Sequence, residues 1–173
     1  MLILISGQAG SGKSRYAEER LSELSGKTKI YAAMSRVEDE EMRERVRNHQ
    51  AMRAGRGFLT VERAKNLSGT KIPAGSSVMV ESLTAWTANV MFSDEVKSSG
   101  HVVSEIFADI TALLGRVRDV VIVVDDIFSD GGGYDALTEE YVRVLAELAV
   151  KIAEISDEVV EVIAGMPITY KKR

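Results

Sequence analysis

The 173-residue chain predicts a three-layer α/β fold around a mainly parallel central sheet. Short apolar runs alternate along it with longer segments of helical period. The first run passes straight into a glycine-rich turn and then a helix. The length suffices for one well-filled core and falls short of two ordinary domains, so residues 1–173 are expected to form a single domain.

The elements follow in order. Residues 2–6 read as a buried strand, and residues 13–24 as a helix whose Ala17, Leu21 and Leu24 fall at helical spacing before a stop at Gly26. Residues 28–33 form a second strand. Residues 39–54 are strongly helical with a charged surface, and residues 59–62 make a short strand. Residues 77–80 are another buried strand, ending at Glu81, with a helix from Thr84 to about Phe92. Val102, Val103, Ile106, Phe107, Ile110, Leu113, Leu114 and Val117 form a broad apolar stripe at helical period. Residues 119–124 are the most continuous buried strand, ending in Asp125 and Asp126. Gly131, Gly132 and Gly133 mark a mobile connection. Asp135 caps a helix whose stripe runs through Leu137, Tyr141, Leu145, Leu148, Ile152 and Ile155. Residues 159–164 are the final strand.

Composition narrows the function. Hydrophobic residues make up 45% and charged ones 28%, as in a globular protein. The 26 acidic residues outnumber the 22 basic ones, and the net charge of -4 argues against a nucleic-acid partner. The chain contains no cysteine, which removes disulfides, thiolate metal sites and cysteine nucleophiles. The five apolar residues 1–5, without a basic lead-in, are too short for a secretory signal, and no run can span a bilayer. A cytoplasmic location is expected.

The turn after the first strand carries the strongest signal. Gly7, Gln8, Ala9, Gly10, Ser11, Gly12, Lys13 and Ser14 satisfy G-x-x-x-x-G-K-[ST], between a strand and a helix. Glycines let the backbone wrap so that successive N–H groups face phosphate oxygens, and the helix N-terminus adds partial positive charge. Lys13 can reach the β- and γ-phosphates, and the Ser14 hydroxyl can ligate Mg²⁺. The fold expected is therefore the P-loop NTPase type. Arg15 stands where a dinucleotide-binding turn needs its third glycine, which disfavours that fold.

A histidine among arginines is the second candidate. Arg45, His49 and Arg53 are spaced i, i+4, i+8 and share one helical face, with Met42 and Val46 supplying apolar contact alongside. Two guanidiniums would hold a phosphate and favour the neutral, nucleophilic imidazole. On the residues alone, a solvated surface histidine with Arg45 paired to Glu41 competes with this reading. His101 has no assigned role. A P-loop enzyme also needs an acidic residue at a nearby strand end to hold Mg²⁺ or its water. Glu81 and Asp125 or Asp126 are the candidates, the latter pair having the more usual look, and Glu62 is weaker. Capping acids at strand-to-helix turns are the competing explanation.

In this order, the 7–14 loop, Tyr31-Ala32-Ala33, Asp39-Glu40-Glu41-Met42 with Arg45 and His49, and Glu81-Ser82-Leu83-Thr84-Ala85-Trp86 with Asn89 resemble the adenosylcobinamide kinase/adenosylcobinamide-phosphate guanylyltransferase family. Ser156-Asp157-Glu158-Val159 and Ala164-Gly165-Met166-Pro167 resemble that family's closing pattern. The resemblance implies a two-step transferase of cobalamin biosynthesis. The hydroxyl of adenosylcobinamide takes the γ-phosphoryl group of ATP or GTP. The new phosphate then takes GMP, derived from GTP, from an enzyme histidine, which the motif places at His49. By position, Ala33, Met34, Ser35, Gln50, Ala51, Met52, Arg53, Glu62 and Glu81 are similar to the family's nucleotide contacts. Ser14, Glu81 and Asp125 are the candidates for Mg²⁺. The family also implies a homo-oligomer, commonly a trimer.

This chain departs from the family at two places. The usual Gly-Gly-Ala-Arg opening is Gly7-Gln8-Ala9-Gly10, and a strand-end Asn-Glu-Val-Gly is replaced by Asp125-Asp126-Ile127-Phe128. Two other functions remain open at this stage: a different small-molecule or nucleoside kinase without covalent GMP transfer, and a nucleotide-dependent switch without transfer chemistry.

Overall fold

The computed structural model describes residues 1–35, 57–95, 97–128 and 133–173. The expected helix at 39–54, with Arg45 and His49, lies outside the described residues, as do Gly131 and Gly132.

Seven strands form one sheet in the order β3-β2-β4-β5-β1-β6-β7. They are β1 (Leu2–Gly7), β2 (Lys29–Ala33), β3 (Phe58–Glu62), β4 (Ser77–Glu81), β5 (Asp119–Asp125), β6 (Glu158–Ile163) and β7 (Met166–Lys172). The first six run parallel, so their carboxyl ends collect along one edge, and β7 returns antiparallel to β6. Four helices among the described residues are α1 (Lys13–Glu23), α2 (Leu83–Met91), α3 (Ser99–Leu114) and α4 (Ala136–Ile155). The expected three-layer architecture is observed.

Successive strand residues serve opposite faces, which is why the central strands read as unbroken apolar runs. Leu2, Leu4, Val78, Val80, Val120, Ile122 and Val124 pack beneath α2, α3 and α4 with Trp86, Ile106, Ile110, Leu145 and Leu148. Ile3, Ile5, Tyr31, Met79, Val121 and Val123 pack on the other face against Ala17 and Leu21 of α1. Asp135 caps α4 as expected, its Oδ1 accepting from the Leu137 and Thr138 amides at 2.9 and 3.0 Å.

Two details differ from the sequence reading. The stripe of α4 includes buried Val144, whereas its expected ends, Leu137 and Ile155, are exposed. The chain also does not end its sheet at β6: a two-residue turn, Ala164 (φ 49°) and Gly165 (φ 81°), leads into β7. Positive φ at both positions suits the tight turn whose twist matches that of its strands. Pro167 is tolerated because β7 is an edge strand and need not donate every ladder bond.

Candidate active site

The phosphate loop (residues 7–14) joins β1 to α1. Gly12 is the N-cap of α1 at φ 90°, a left-handed conformation that side chains rarely adopt. Gly7 is required for space: a Cβ there would meet Ser11 Oγ at 2.5 Å and the Val162 carbonyl oxygen at 2.7 Å. The Ser11 amide donates to the Gln8 carbonyl at 3.1 Å, closing the turn.

Lys13 is nearly buried. Its Nζ lies 2.7 Å from Asp125 Oδ1 and donates to the Gln8 carbonyl at 3.2 Å. Ser14 Oγ donates to Glu81 Oε1 at 2.7 Å. The two strand-end carboxylates are thus divided between the two polar side chains that close the loop. Asp125 has the more usual look in sequence, yet Glu81 is the acid on the Ser14 hydroxyl. The strand order explains this, because β5 lies between β1 and β4 and presents Asp125 directly across from Gly7. Asp126 donates its amide to the Gly7 carbonyl at 2.9 Å.

A set of hydrogen bonds fixes these strand ends. Ser82 caps α2, its Oγ accepting from the Ala85 amide at 3.2 Å. Thr84 Oγ1 accepts from the Asp125 amide at 3.0 Å, and Tyr141 Oη donates to the Thr84 carbonyl at 2.9 Å. Burial, and to a lesser degree the Asp125 charge, push the Tyr141 phenol up to about 12, so it remains a donor at neutral pH. Asn89 Nδ2 donates to the carbonyls of Met34 (2.5 Å) and Ala64 (3.1 Å), tying the exits of β2 and β3 together. Thr84 and Asn89 fall inside a motif the sequence displays, but Tyr141 reads only as part of an apolar stripe. The one available signal was its hydroxyl, which a buried tyrosine has to pair.

Ala33, Glu62 and Glu81 share one row of the sheet, Ala33 being opposite both carboxylates. The Met34 side chain is fully buried in the core, so only its backbone faces the strand exits; its amide donates to the Glu81 carbonyl at 2.8 Å. Ser35 is exposed. His49, Gln50, Ala51, Met52 and Arg53 lie outside the described residues.

Parallel strands that bring a glycine loop, a lysine and two acidic side chains to one edge define a P-loop NTPase fold. Solved structures agree on that fold. The flagellar accessory protein FlaH of Methanocaldococcus jannaschii matches with a TM-score of 0.51 at 12% identity, over 99% of this chain and 78% of its own. A prototypical ATPase of a bacterial type III secretion system matches with a TM-score of 0.55 at 12% identity, over 97% of this chain and 57% of its own.

The particular family follows from sequence. The chain belongs to the cobinamide kinase/cobinamide phosphate guanyltransferase family, whose model matches residues 3–170. It is similar to the bifunctional adenosylcobalamin biosynthesis proteins CobU of Escherichia coli strain K12 (26% identity) and Salmonella typhimurium strain LT2 (25% identity). Each alignment covers 99% of this chain and 100% of the relative. The protein is a transferase, and its family works in cobalamin biosynthesis. No helix among the described residues is long and apolar enough to cross a membrane.

Proposed function

We propose that this enzyme phosphorylates the free hydroxyl of adenosylcobinamide and then caps the new phosphate with GMP through a guanylylated His49. The observation that carries the reading is the pairing of a family match over residues 3–170 with an intact phosphate loop whose Lys13 and Ser14 already engage strand-end carboxylates.

In the first step the corrinoid hydroxyl oxygen attacks the γ-phosphorus of ATP or GTP, and the nucleoside diphosphate departs. Loop amides and Lys13 offset the charge on the transferred group. In the second, a neutral imidazole nitrogen of His49 attacks the α-phosphorus of GTP. Pyrophosphate leaves and a phosphoramidate forms. An oxygen of adenosylcobinamide phosphate then attacks that phosphorus, the histidine departs, and adenosylcobinamide-GDP is released. Arg45 and Arg53 are suited to steady the phosphates around His49. Ala33, Met34, Ser35, Gln50, Ala51, Met52, Arg53, Glu62 and Glu81 are the proposed contacts of the guanylyl donor.

The hydroxyl of Ser14 and the carboxylates of Glu81 and Asp125 form an all-oxygen donor set that fits Mg²⁺, an ion that takes few protein ligands and completes its shell with phosphate and water. When bound, Mg²⁺ would supply charge neutralisation along the polyphosphate. We further propose a homo-oligomer, as the resemblance implies, with a trimer favoured.

Mass spectrometry of reactions containing adenosylcobinamide, GTP and Mg²⁺ tests the assignment. Adenosylcobinamide phosphate should appear first and adenosylcobinamide-GDP should follow. Unmodified corrinoid after prolonged incubation would remove the assignment.

A further inference from the structure

The helix α2 starts directly beyond the exit of β4, with Ser82 as its cap, and Asn89 lies near its far end. Sheet order places β2 beside β4, and β3 beyond β2 at the edge. From Ser82 to Asn89 the helix rises about 10 Å. That length is close to the two strand spacings, about 5 Å each, that separate β4 from β3. Asn89 directs its side chain to backbone on the far strands: its Nδ2 donates to the carbonyls of Met34 (2.5 Å) and Ala64 (3.1 Å), which follow β2 and β3. Both partners are carbonyl oxygens, which only accept, so the amino group of the amide has to face them.

These bonds matter more at this edge than in the middle of the sheet. β4 and β5 are buried almost throughout, so packing holds their exits. β3 has a neighbour on one side only, none of its residues is fully buried, and Leu59 is 56% exposed. Polar ties hold its exit instead. The Arg63 amide donates to the Ala33 carbonyl at 2.9 Å, and the Met34 amide donates to the Glu81 carbonyl at 2.8 Å. Asn89 closes the set from a helix that belongs to none of the three strands. Asparagine is among the weaker helix formers, because its amide competes for backbone partners. At this position it costs α2 some intrinsic stability, which the two tertiary bonds offset.

We infer that Asn89 is a positioning residue for the guanylyl donor, acting through Met34 and Ala64 to keep the exits of β2 and β3 at the spacing that the donor's contacts require. The inference rests on the reading of Ala33, Met34, Ser35 and Glu62 as those contacts. Asn89 lies on the side of the strand exits and not on the phosphate loop, whose polar side chains pair with Asp125 and Glu81. Its loss should therefore weaken recognition of the whole nucleotide and spare that of the bare polyphosphate.

Three variants test this. Asn89→Ala removes both donors. Asn89→Asp keeps the side-chain shape but turns a carboxylate on two carbonyls, and Asn89→Gln keeps the donors on a longer arm. Calorimetry measures GTP and inorganic tripolyphosphate binding to each, and urea unfolding measures stability. GTP should bind about tenfold more weakly to Asn89→Ala and more weakly still to Asn89→Asp, with tripolyphosphate binding unchanged in both. Asn89→Gln should fall between the parent and Asn89→Ala. In guanylylation, KM for GTP should rise by the same factor while the rate at saturating GTP holds. A purely structural role would lower the urea midpoint and weaken GTP and tripolyphosphate binding together. That result, or unchanged GTP affinity in both Asn89→Ala and Asn89→Asp, would overturn the inference. Glu62→Gln separates it from the reading beneath. Weakened GTP binding in Glu62→Gln beside intact binding in the Asn89 variants would remove the positioning role alone. Unchanged GTP binding in Glu62→Gln and in every Asn89 variant would remove the donor contacts at these exits as well.

Discussion

Ser14 and Glu81, separated by 67 positions in sequence, meet through a 2.7 Å hydrogen bond from the serine hydroxyl to a carboxylate oxygen. The contact joins the first turn of α1 to the end of β4 across the intervening strand β5. It assigns the acid on the phosphate loop's final hydroxyl, and the pair is the strongest local candidate for a cation.

Removing that pair should separate chemistry from folding. Glu81→Gln and Ser14→Ala are expected to lower kcat of phosphoryl transfer on the order of 100-fold, the scale of losing one positioned electrostatic group. Nucleotide binding in the absence of Mg²⁺ should change little. Steady-state kinetics beside calorimetry checks this, and undiminished turnover in both variants would place the metal elsewhere.

Asp125 is expected to matter most before nucleotide binds. Its carboxylate neutralises the nearly buried Lys13 ammonium at 2.7 Å. Asp125→Ala leaves that charge without its partner, at a cost of about 1–3 kcal/mol. A bound triphosphate supplies replacement charge, so the deficit should shrink when ATP is present. Urea unfolding with and without ATP measures both values.

Trp86 tests the packing that supports α2. It is 1% exposed and lies in the core with Leu83, Val90 and Ile106. Trp86→Ala should cost about 3–5 kcal/mol through lost burial and the cavity left behind. Because α2 carries Thr84 and Asn89, the variant should also lose activity at temperatures where it remains folded. Thermal unfolding and residual activity follow the two effects.

Tyr141 predicts an alkaline loss of stability. Burial pushes its phenol up to about 12, above the ordinary tyrosine value of 10.0. The folded state therefore resists an ionisation that the unfolded chain undergoes more readily. The resulting stabilisation is complete below the unfolded value and is lost as pH rises through the folded one. Denaturant unfolding at about pH 8 and about pH 11 should show a smaller drop for Tyr141→Phe than for the parent chain.

Much of this architecture is legible in the chain because parallel strands are buried on both faces. Val120 to Val124 have no polar interruption, and the glycine loop follows its strand directly. What escapes sequence reasoning depends on long-range order. Nothing local to Glu81 or Asp125 tells which will meet Ser14, because that is decided by β5 inserting between β1 and β4. β7 hides for a different reason: with almost all of its residues exposed and a proline inside it, it lacks both a burial pattern and the usual strand composition. Met34 is similar by position to a nucleotide contact, and because its side chain is buried in the core such a contact would fall to its backbone. Tyr141 disguised a hydrogen-bonding role within a helical stripe.

The central claim, a covalent guanylyl-histidine fed by the phosphate loop, has a direct measurement. The protein is incubated with Mg²⁺ and GTP labelled in its α-phosphate, then denatured. The expected result is a protein-bound label that is acid-labile and alkali-stable, is absent from His49→Ala, and transfers to adenosylcobinamide phosphate on addition. A protein that turns over GTP with adenosylcobinamide yet carries no label, or a label that persists in His49→Ala, would contradict it.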